Sequence, residues 1–214
     1  METKKTITSY KQGLKDKILE TAMHAFATQG IKAVRMDDIA QTLGISKRTL
    51  YELYENKEVL LYEGVKLFKG RKEAELQELS AESRNVMDMV LQMYRIKVLE
   101  FRKVNTYFYS DMSKYPSVKQ LLEQDTKARH QRTLAFFRRG VAEGYFCSGV
   151  DYALAVRMFD AMGEYVMSNE LYKQYTLEYI LNNLIFVTFR GLCTQKGLEV
   201  LDTFMQEDHF SFDQ

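Results

Sequence analysis

The chain has 214 residues, 46% of them hydrophobic and 13% aromatic, which is enough to bury a sizeable core and excludes a disordered tail. Thirty basic against 29 acidic residues leave a net charge of +1, so no overall polycation or polyanion character advertises a partner. A single proline, Pro116, and 11 glycines, none of them between Gly70 and Gly140, argue against a sandwich, barrel or doubly wound sheet, whose turns need both residues, and for a few long helices.

Residues 1–13 are polar, include Lys4 and Lys5 without an apolar stretch, and read as an arm with no signal peptide. Leu14–Gln29 places Ile18, Leu19, Ala22 and Phe26 on one helical face, and Gly30 follows where a left-handed C′ residue belongs. A short helix is predicted over Met36–Leu43, ending at Gly44. Ser46 opens another, and Asn56 caps a helix running from Lys57 towards Leu79. Val86, Val90, Met93, Tyr94, Phe101, Val104, Phe108 and Met112 then make a helical stripe that stops near Pro116. A helix from Ser117 to Gly140, with a break near Asp125, carries Leu121, Leu122, Leu134, Phe136 and Phe137. Gly140, Gly144 and Gly149 mark a loop. Asp151 caps a helix with Leu154, Ala155, Met158, Met162, Tyr165 and Val166, and Thr176 opens a last long helix with Ile180, Leu181, Leu184, Ile185, Thr188 and Leu192. The fold class is therefore all-α.

Within the first sixty residues the spacing becomes specific. Ala40-x-x-x-Gly44 is what a helix-turn-helix needs: Ala40 is small where two short helices cross, and Gly44 lets the backbone adopt positive φ in the turn. Ile39, Leu43, Ile45, Leu50 and Leu53 face inward, and Ser46 offers an N-cap oxygen to the second helix. Lys47, Arg48, Thr49, Tyr51 and Glu52 remain outward, the set that a recognition helix presents to the major groove. Tyr51 can reach a phosphate with its hydroxyl, and Lys57 sits at a helix N-terminus, where unpaired N–H groups favour a phosphate. Local charge agrees: residues 1–70 hold 12 basic against 9 acidic residues, and residues 71–214 hold 18 against 20.

Ile39-Ala40 through Gly44-Ile45-Ser46-Lys47-Arg48-Thr49-Leu50-Tyr51, then Tyr54, Asn56-Lys57-Glu58 and Leu60-Leu61, resembles the signature of the tetracycline-repressor-like (TetR) family, and Phe26-Ala27-x-x-Gly30 resembles the end of that family's first helix. The resemblance covers Lys15 to Leu61. Two positions depart from it: Arg35 stands where many members carry a Ser or Thr N-cap, and Arg48 where many carry a small residue, so operator sequence cannot be borrowed from relatives. The resemblance implies a three-helix helix-turn-helix head, residues 1–62, that binds double-stranded DNA at a palindromic operator. Arg35, Ser46, Lys47, Arg48, Thr49, Tyr51 and Lys57 are its candidate DNA-binding residues. It also implies a ligand-binding and dimerisation body, residues 63–214, with an apolar pocket for a small apolar or amphipathic effector. Tyr94, Phe108, Met112, Phe137, Met158 and Met162 are the candidates to line that pocket, and the last two long helices resemble the family's homodimer interface.

Other chemistry finds little footing. His24, His130 and His209 lie in different segments with no partner at ligand or triad spacing, and no phosphate-binding, dinucleotide or hydrolase fingerprint occurs, so neither enzyme activity, metal nor cofactor is expected. Cys147 and Cys193 form no C-x-x-C pair and read as thiols of a reducing compartment. The apolar run Tyr179–Leu192 is broken by Asn182, Asn183 and Arg190 and is too short to span a bilayer, so a cytoplasmic protein is expected. The reading is a ligand-released repressor. Its alternatives are a same-fold activator or protein-controlled regulator without a pocket, and a helical small-molecule-binding protein with a vestigial head.

Overall fold

A computed structural model describes residues 2–124 and 126–207, and among these all regular structure is helical apart from an isolated antiparallel bridge between Phe146 and Cys193. Helix α1 spans Glu2–Gln29, α2 Met36–Thr42, α3 Lys47–Leu53 and α4 Lys57–Glu82. They are followed by α5 (Val86–Lys103), α6 (Tyr107–Met112), α7 (Pro116–Glu123), α8 (Thr126–Ala142) and α9 (Tyr152–Ser168). Helix α10 joins Leu177–Ile180, a π-helical stretch Leu181–Phe186 and Val187–Arg190, and α11 covers Gln195–Glu207.

Four features differ from the periodicity. Helix α1 takes up the polar stretch read as an arm, which contains no proline to stop it. The stripe through Val104 is two helices, because Val104 adopts an extended conformation (φ −100°, ψ 131°) and is followed by Asn105 and Thr106, both poor helix formers. Pro116 begins α7, a first-turn position where its missing N–H costs no intrahelical hydrogen bond. Helix α11, which buries Leu201 and Phe204, lies beyond the last helix that the apolar pattern marked. The expected break near Asp125 falls between α7 and α8, and Asp125 itself lies outside the described residues, as does His209.

The chain divides into two compact units. The first comprises Met1–Ala74 and Tyr107–Glu123. Its core is built on Ile18, Ala22 and Phe26 of α1, all fully buried, with Ile31, Val34, Ile39, Leu50, Leu60 and Leu61. Helix α4 approaches α1 so closely at Gly64 that a Cβ there would lie 2.5 Å from Met23 Sδ. Helices α6 and α7 belong to this unit through polar ties: Ser117 Oγ donates to Glu58 Oε1 at 2.7 Å, Lys69 Nζ donates to the Leu121 carbonyl at 3.3 Å, and Lys32 Nζ lies 3.9 Å from the buried Asp111 carboxylate.

Burial pushes the Tyr54 phenol, packed in this unit, up to about 12 from its ordinary value of 10. The folded unit thus holds the phenolic proton more tightly than the unfolded chain. The resulting stabilisation is complete below the ordinary value and is lost as pH rises towards the folded one. Tyr54→Phe is expected to remove that alkaline loss, which denaturant titrations of the intact chain and the variant at about pH 9 and about pH 11 would resolve.

The second unit comprises Glu75–Thr106 and Gln124–Gln214. Val86, Met87, Phe137, Phe146, Phe186 and Leu201 form its buried centre. Phe146 lies against Gly140, where a Cβ would come within 2.1 Å of the ring. Arg139 of α8 ties down the end of α4 by donating to the Ser80 and Ser83 carbonyls, both at 3.3 Å, and Glu143 accepts from the Val86 amide at 2.7 Å. Cys147 and Cys193 are free thiols, and burial pushes the Cys193 thiol up to about 11.

Candidate nucleic-acid interface

The local chemistry of α2 and α3 accounts for their placement. Arg35 is the N-cap of α2 in an extended conformation, but a guanidinium has no acceptor with which to cap an N–H. Asp38 completes the end instead: its Oδ2 accepts from the Arg35 amide at 2.9 Å, the return half of a capping box. Arg35 itself is exposed. At the turn Gly44 has φ +63°, and the Ile45 amide donates to the Ala40 carbonyl at 3.0 Å. Ser46 caps α3 as the sequence predicts, accepting from the Thr49 amide at 3.0 Å, with the two hydroxyl oxygens 2.8 Å apart.

Helix α3 then exposes one polar face. Lys47 is paired with Asp37 of α2, and this carboxylate raises the ammonium above its ordinary range. Arg48 carries an 88% exposed side chain whose Nε donates to Glu52 Oε1 at 2.8 Å. Tyr51 is exposed beside them, and Thr49 is partly covered by its bond to Ser46. Lys47, Arg48 and Tyr51 thus share a solvent-facing surface, held from beneath by the fully buried Leu50.

Two acids, Asp37 of α2 and Glu52 of α3, also lie on that surface. The i, i+4 spacing of Arg48 and Glu52 is a sequence signal for their pair. The pairing of Asp37 with Lys47 crosses the turn and has no such local signal.

Lys57 is placed differently from the other candidates. It opens α4, yet its half-buried ammonium donates to the carbonyls of Ile31 at 2.6 Å and Val34 at 2.8 Å, closing the α1–α2 connection onto α4. Burial pulls this ammonium below its ordinary range. Lys57→Ala is expected to destabilise the first unit by about 1–3 kcal/mol, because two carbonyls lose their donor. The salt dependence of any DNA binding should not change. Urea denaturation and binding titrations across a salt series measure the two effects.

The six effector candidates divide between the units. Phe108 and Met112 are buried in α6 of the first. In the second, Phe137 stacks on Tyr152 at 4.6 Å within the aromatic core. Tyr94 donates its hydroxyl to Oδ1 of the buried Asn182, in the π-helical stretch, at 2.6 Å. Met162 Sδ accepts from Thr188 Oγ1 at 3.7 Å. Met158 is 41% exposed on the α9 face that also carries Leu154 (65%) and Tyr165 (57%), while α10 exposes Val187 (52%). Among the described residues, no three His, Cys, Asp or Glu are grouped to hold a metal ion, and no helix is long and apolar enough to cross a membrane.

Comparison with known proteins agrees with this geometry. Residues 18–63 match the family described as bacterial regulatory proteins, tetR family. The HTH-type transcriptional repressor KstR2 of Mycolicibacterium smegmatis is 27% identical over 148 residues, covering 67% of this chain and 72% of that protein. Among solved structures, the ketosteroid transcriptional regulator KstR2 of Mycobacterium tuberculosis shares the fold with a TM-score of 0.57 at 19% identity, covering 85% of this chain and 95% of that one. A TetR-family transcriptional regulator from Agrobacterium tumefaciens does so with a TM-score of 0.68 at 15% identity, covering 86% of this chain and 100% of that one.

Proposed function

We propose that this chain, whose residues 18–63 match the tetR family of bacterial regulatory proteins, is a DNA-binding regulator that acts as a homodimeric repressor released from a palindromic operator by a small apolar or amphipathic molecule. The observation that carries this reading is the outward face of α3, where Lys47, Arg48 and Tyr51 stand exposed on a helix positioned by the Gly44 turn and the Ser46 cap. Arg48 is the base reader, because a guanidinium can bond guanine O6 and N7 at once. Arg35, Ser46, Thr49 and Tyr51 are phosphate contacts or hold the helix in register. Lys57 supports this surface from behind, through the carbonyls of Ile31 and Val34.

Dimerisation is assigned to the outer face of α9 with Val187 of α10. An apolar row of Leu154, Met158 and Tyr165 is a self-complementary patch of the kind that a two-fold axis buries. Met158 is accordingly given to this face and not to the effector. In the second unit Tyr94 with Asn182 is the polar pair assigned to the effector's polar group, among the apolar side chains of α5, α10 and α11. The M. tuberculosis relative KstR2 is a ketosteroid transcriptional regulator, which supports an effector with a large apolar surface. Release follows from linkage: an effector that prefers the body conformation in which the heads miss the half-site spacing weakens DNA by the same factor by which DNA weakens it, typically about 1–3 kcal/mol.

The test is a fluorescence-anisotropy titration of short duplex DNA. The intact chain should bind random duplex at low salt and lose about tenfold or more in affinity between 50 and 200 mM salt. Arg48→Ala should cost about 1–3 kcal/mol on a preferred sequence and much less on random DNA. Equal losses on both would remove Arg48 as a base reader, and no binding to any duplex at low salt would remove the DNA-reading function.

A further inference from the structure

We propose that Glu52 is a positioning residue for sequence readout, a carboxylate that presents the Arg48 guanidinium to the base edge in one fixed plane. This role rests on the proposal that α3 reads DNA, and it assigns to an acidic residue a part in specificity that its charge alone would forbid.

The geometry is that of a buttress. Both residues lie on the outer side of α3, one turn apart, with side chains 88% and 61% exposed, and among the described residues it is their mutual bond that holds the guanidinium. That bond is made by Nε, which donates to Glu52 Oε1 at 2.8 Å. A guanidinium is planar, and a carboxylate on its Nε edge sets the orientation of that plane and leaves the distal edge, with both Nη groups, directed away from the carboxylate. The distal edge is the one that matches O6 and N7 of guanine. Without Glu52 a long, exposed arginine samples many rotamers and settles on the nearest phosphate as readily as on a base. With it, the side chain is ordered before DNA arrives, the condition under which a bidentate contact discriminates best.

Charge adds a second effect in the same direction. Both cations of α3 have a carboxylate partner: Arg48 with Glu52 and Lys47 with Asp37. A paired cation contributes less to the phosphate attraction that drives sequence-independent binding, so the pairs lower affinity for random DNA while leaving the base contact available. The two pairs are not equivalent. The Lys47 ammonium has no plane to orient, so Asp37 moderates charge, whereas Glu52 both moderates charge and fixes a direction.

Two variants separate the effects. Glu52→Ala removes the acceptor and the charge, and Glu52→Gln removes the charge but keeps an amide oxygen that can accept from Nε. Dissociation constants are measured for the intact chain and both variants, on random duplex and on the duplex that the intact chain selects from a random pool, at one salt concentration. Both variants should bind random duplex more tightly. Only Glu52→Ala should lose discrimination, by about tenfold, with the loss confined to one base pair in each half-site. Glu52→Gln should keep the ratio within about twofold of the parent. Unchanged discrimination in Glu52→Ala would overturn the positioning role, and so would an equal loss in both variants, which would make Glu52 itself a base reader. If the parent chain prefers no sequence, the DNA-reading proposal fails first, a result visible without either variant.

Discussion

Leu50→Ala is expected to abolish sequence-preferring DNA binding while leaving the second unit folded. Helix α3 has seven residues, far below the length at which an isolated helix persists in water, so it exists through what it buries. Leu50 is the one buried residue of α3, at 0% exposure, beneath the surface that carries Lys47, Arg48 and Tyr51. Truncating a fully buried leucine costs about 2–5 kcal/mol, through lost apolar transfer and the cavity left behind. That is a large share of what a small helical unit has to spare, so α3 should detach or the first unit should unfold. The Ser46 cap, worth about 1 kcal/mol, is too weak to hold the helix in place alone. Two-step urea denaturation, with the first step displaced and the second unchanged, would show the effect, and anisotropy on a selected duplex would show the loss of binding. Retained sequence preference in a folded Leu50→Ala chain would mean that α3 is not the reading element.

Met158→Glu is expected to produce a folded monomer. Met158 lies in the middle of the exposed apolar row on α9, between Leu154 and Tyr165, and it makes no contribution to the buried centre of its own unit. Glutamate is a good helix former at an exposed position, so the protomer should keep its structure. In a two-fold dimer the substitution occurs twice, and leaving a charge unpaired in a buried apolar contact costs about 3–5 kcal/mol. The dimer dissociation constant should therefore rise by about a hundredfold to a thousandfold or more. Sedimentation equilibrium measures that change directly. Operator affinity should fall with it, because a single head keeps only one half-site. A Met158→Glu chain that remains dimeric would move the interface elsewhere and return Met158 to the effector candidates.

The parts of this molecule that were legible from its residues are those governed by local chemistry. Positive φ at Gly44, the Ser46 cap and the inward row of Ile39, Ala40 and Leu50 each follow from residue type and spacing, and together they place α2 and α3. Lys57 shows where such reasoning stops. A lysine at the start of a helix looks like a phosphate contact, and only the fold brings the Ile31 and Val34 carbonyls to its ammonium. The division of the Val86–Met112 stripe was hidden because its apolar spacing continues through Val104, whose backbone turns extended. Residue type alone does not separate Phe137, stacked in a core, from Tyr94, whose hydroxyl meets a buried amide across the unit. Helix α11 packs on α5, and the Tyr94–Asn182 bond ties the π-helical stretch of α10 to the same helix, contacts between distant residues that no local pattern encodes.

The central claim is that two copies of this chain read a symmetric DNA site through α3. Selection of bound sequences from a random duplex pool by the intact chain, followed by sequencing, tests it most directly. The enriched sequence should be an inverted repeat whose half-sites are centred about one helical turn apart, about 34–36 Å, with a guanine fixed at one position of each half. An unenriched pool, or a single half-site without its inverted mate, would contradict it.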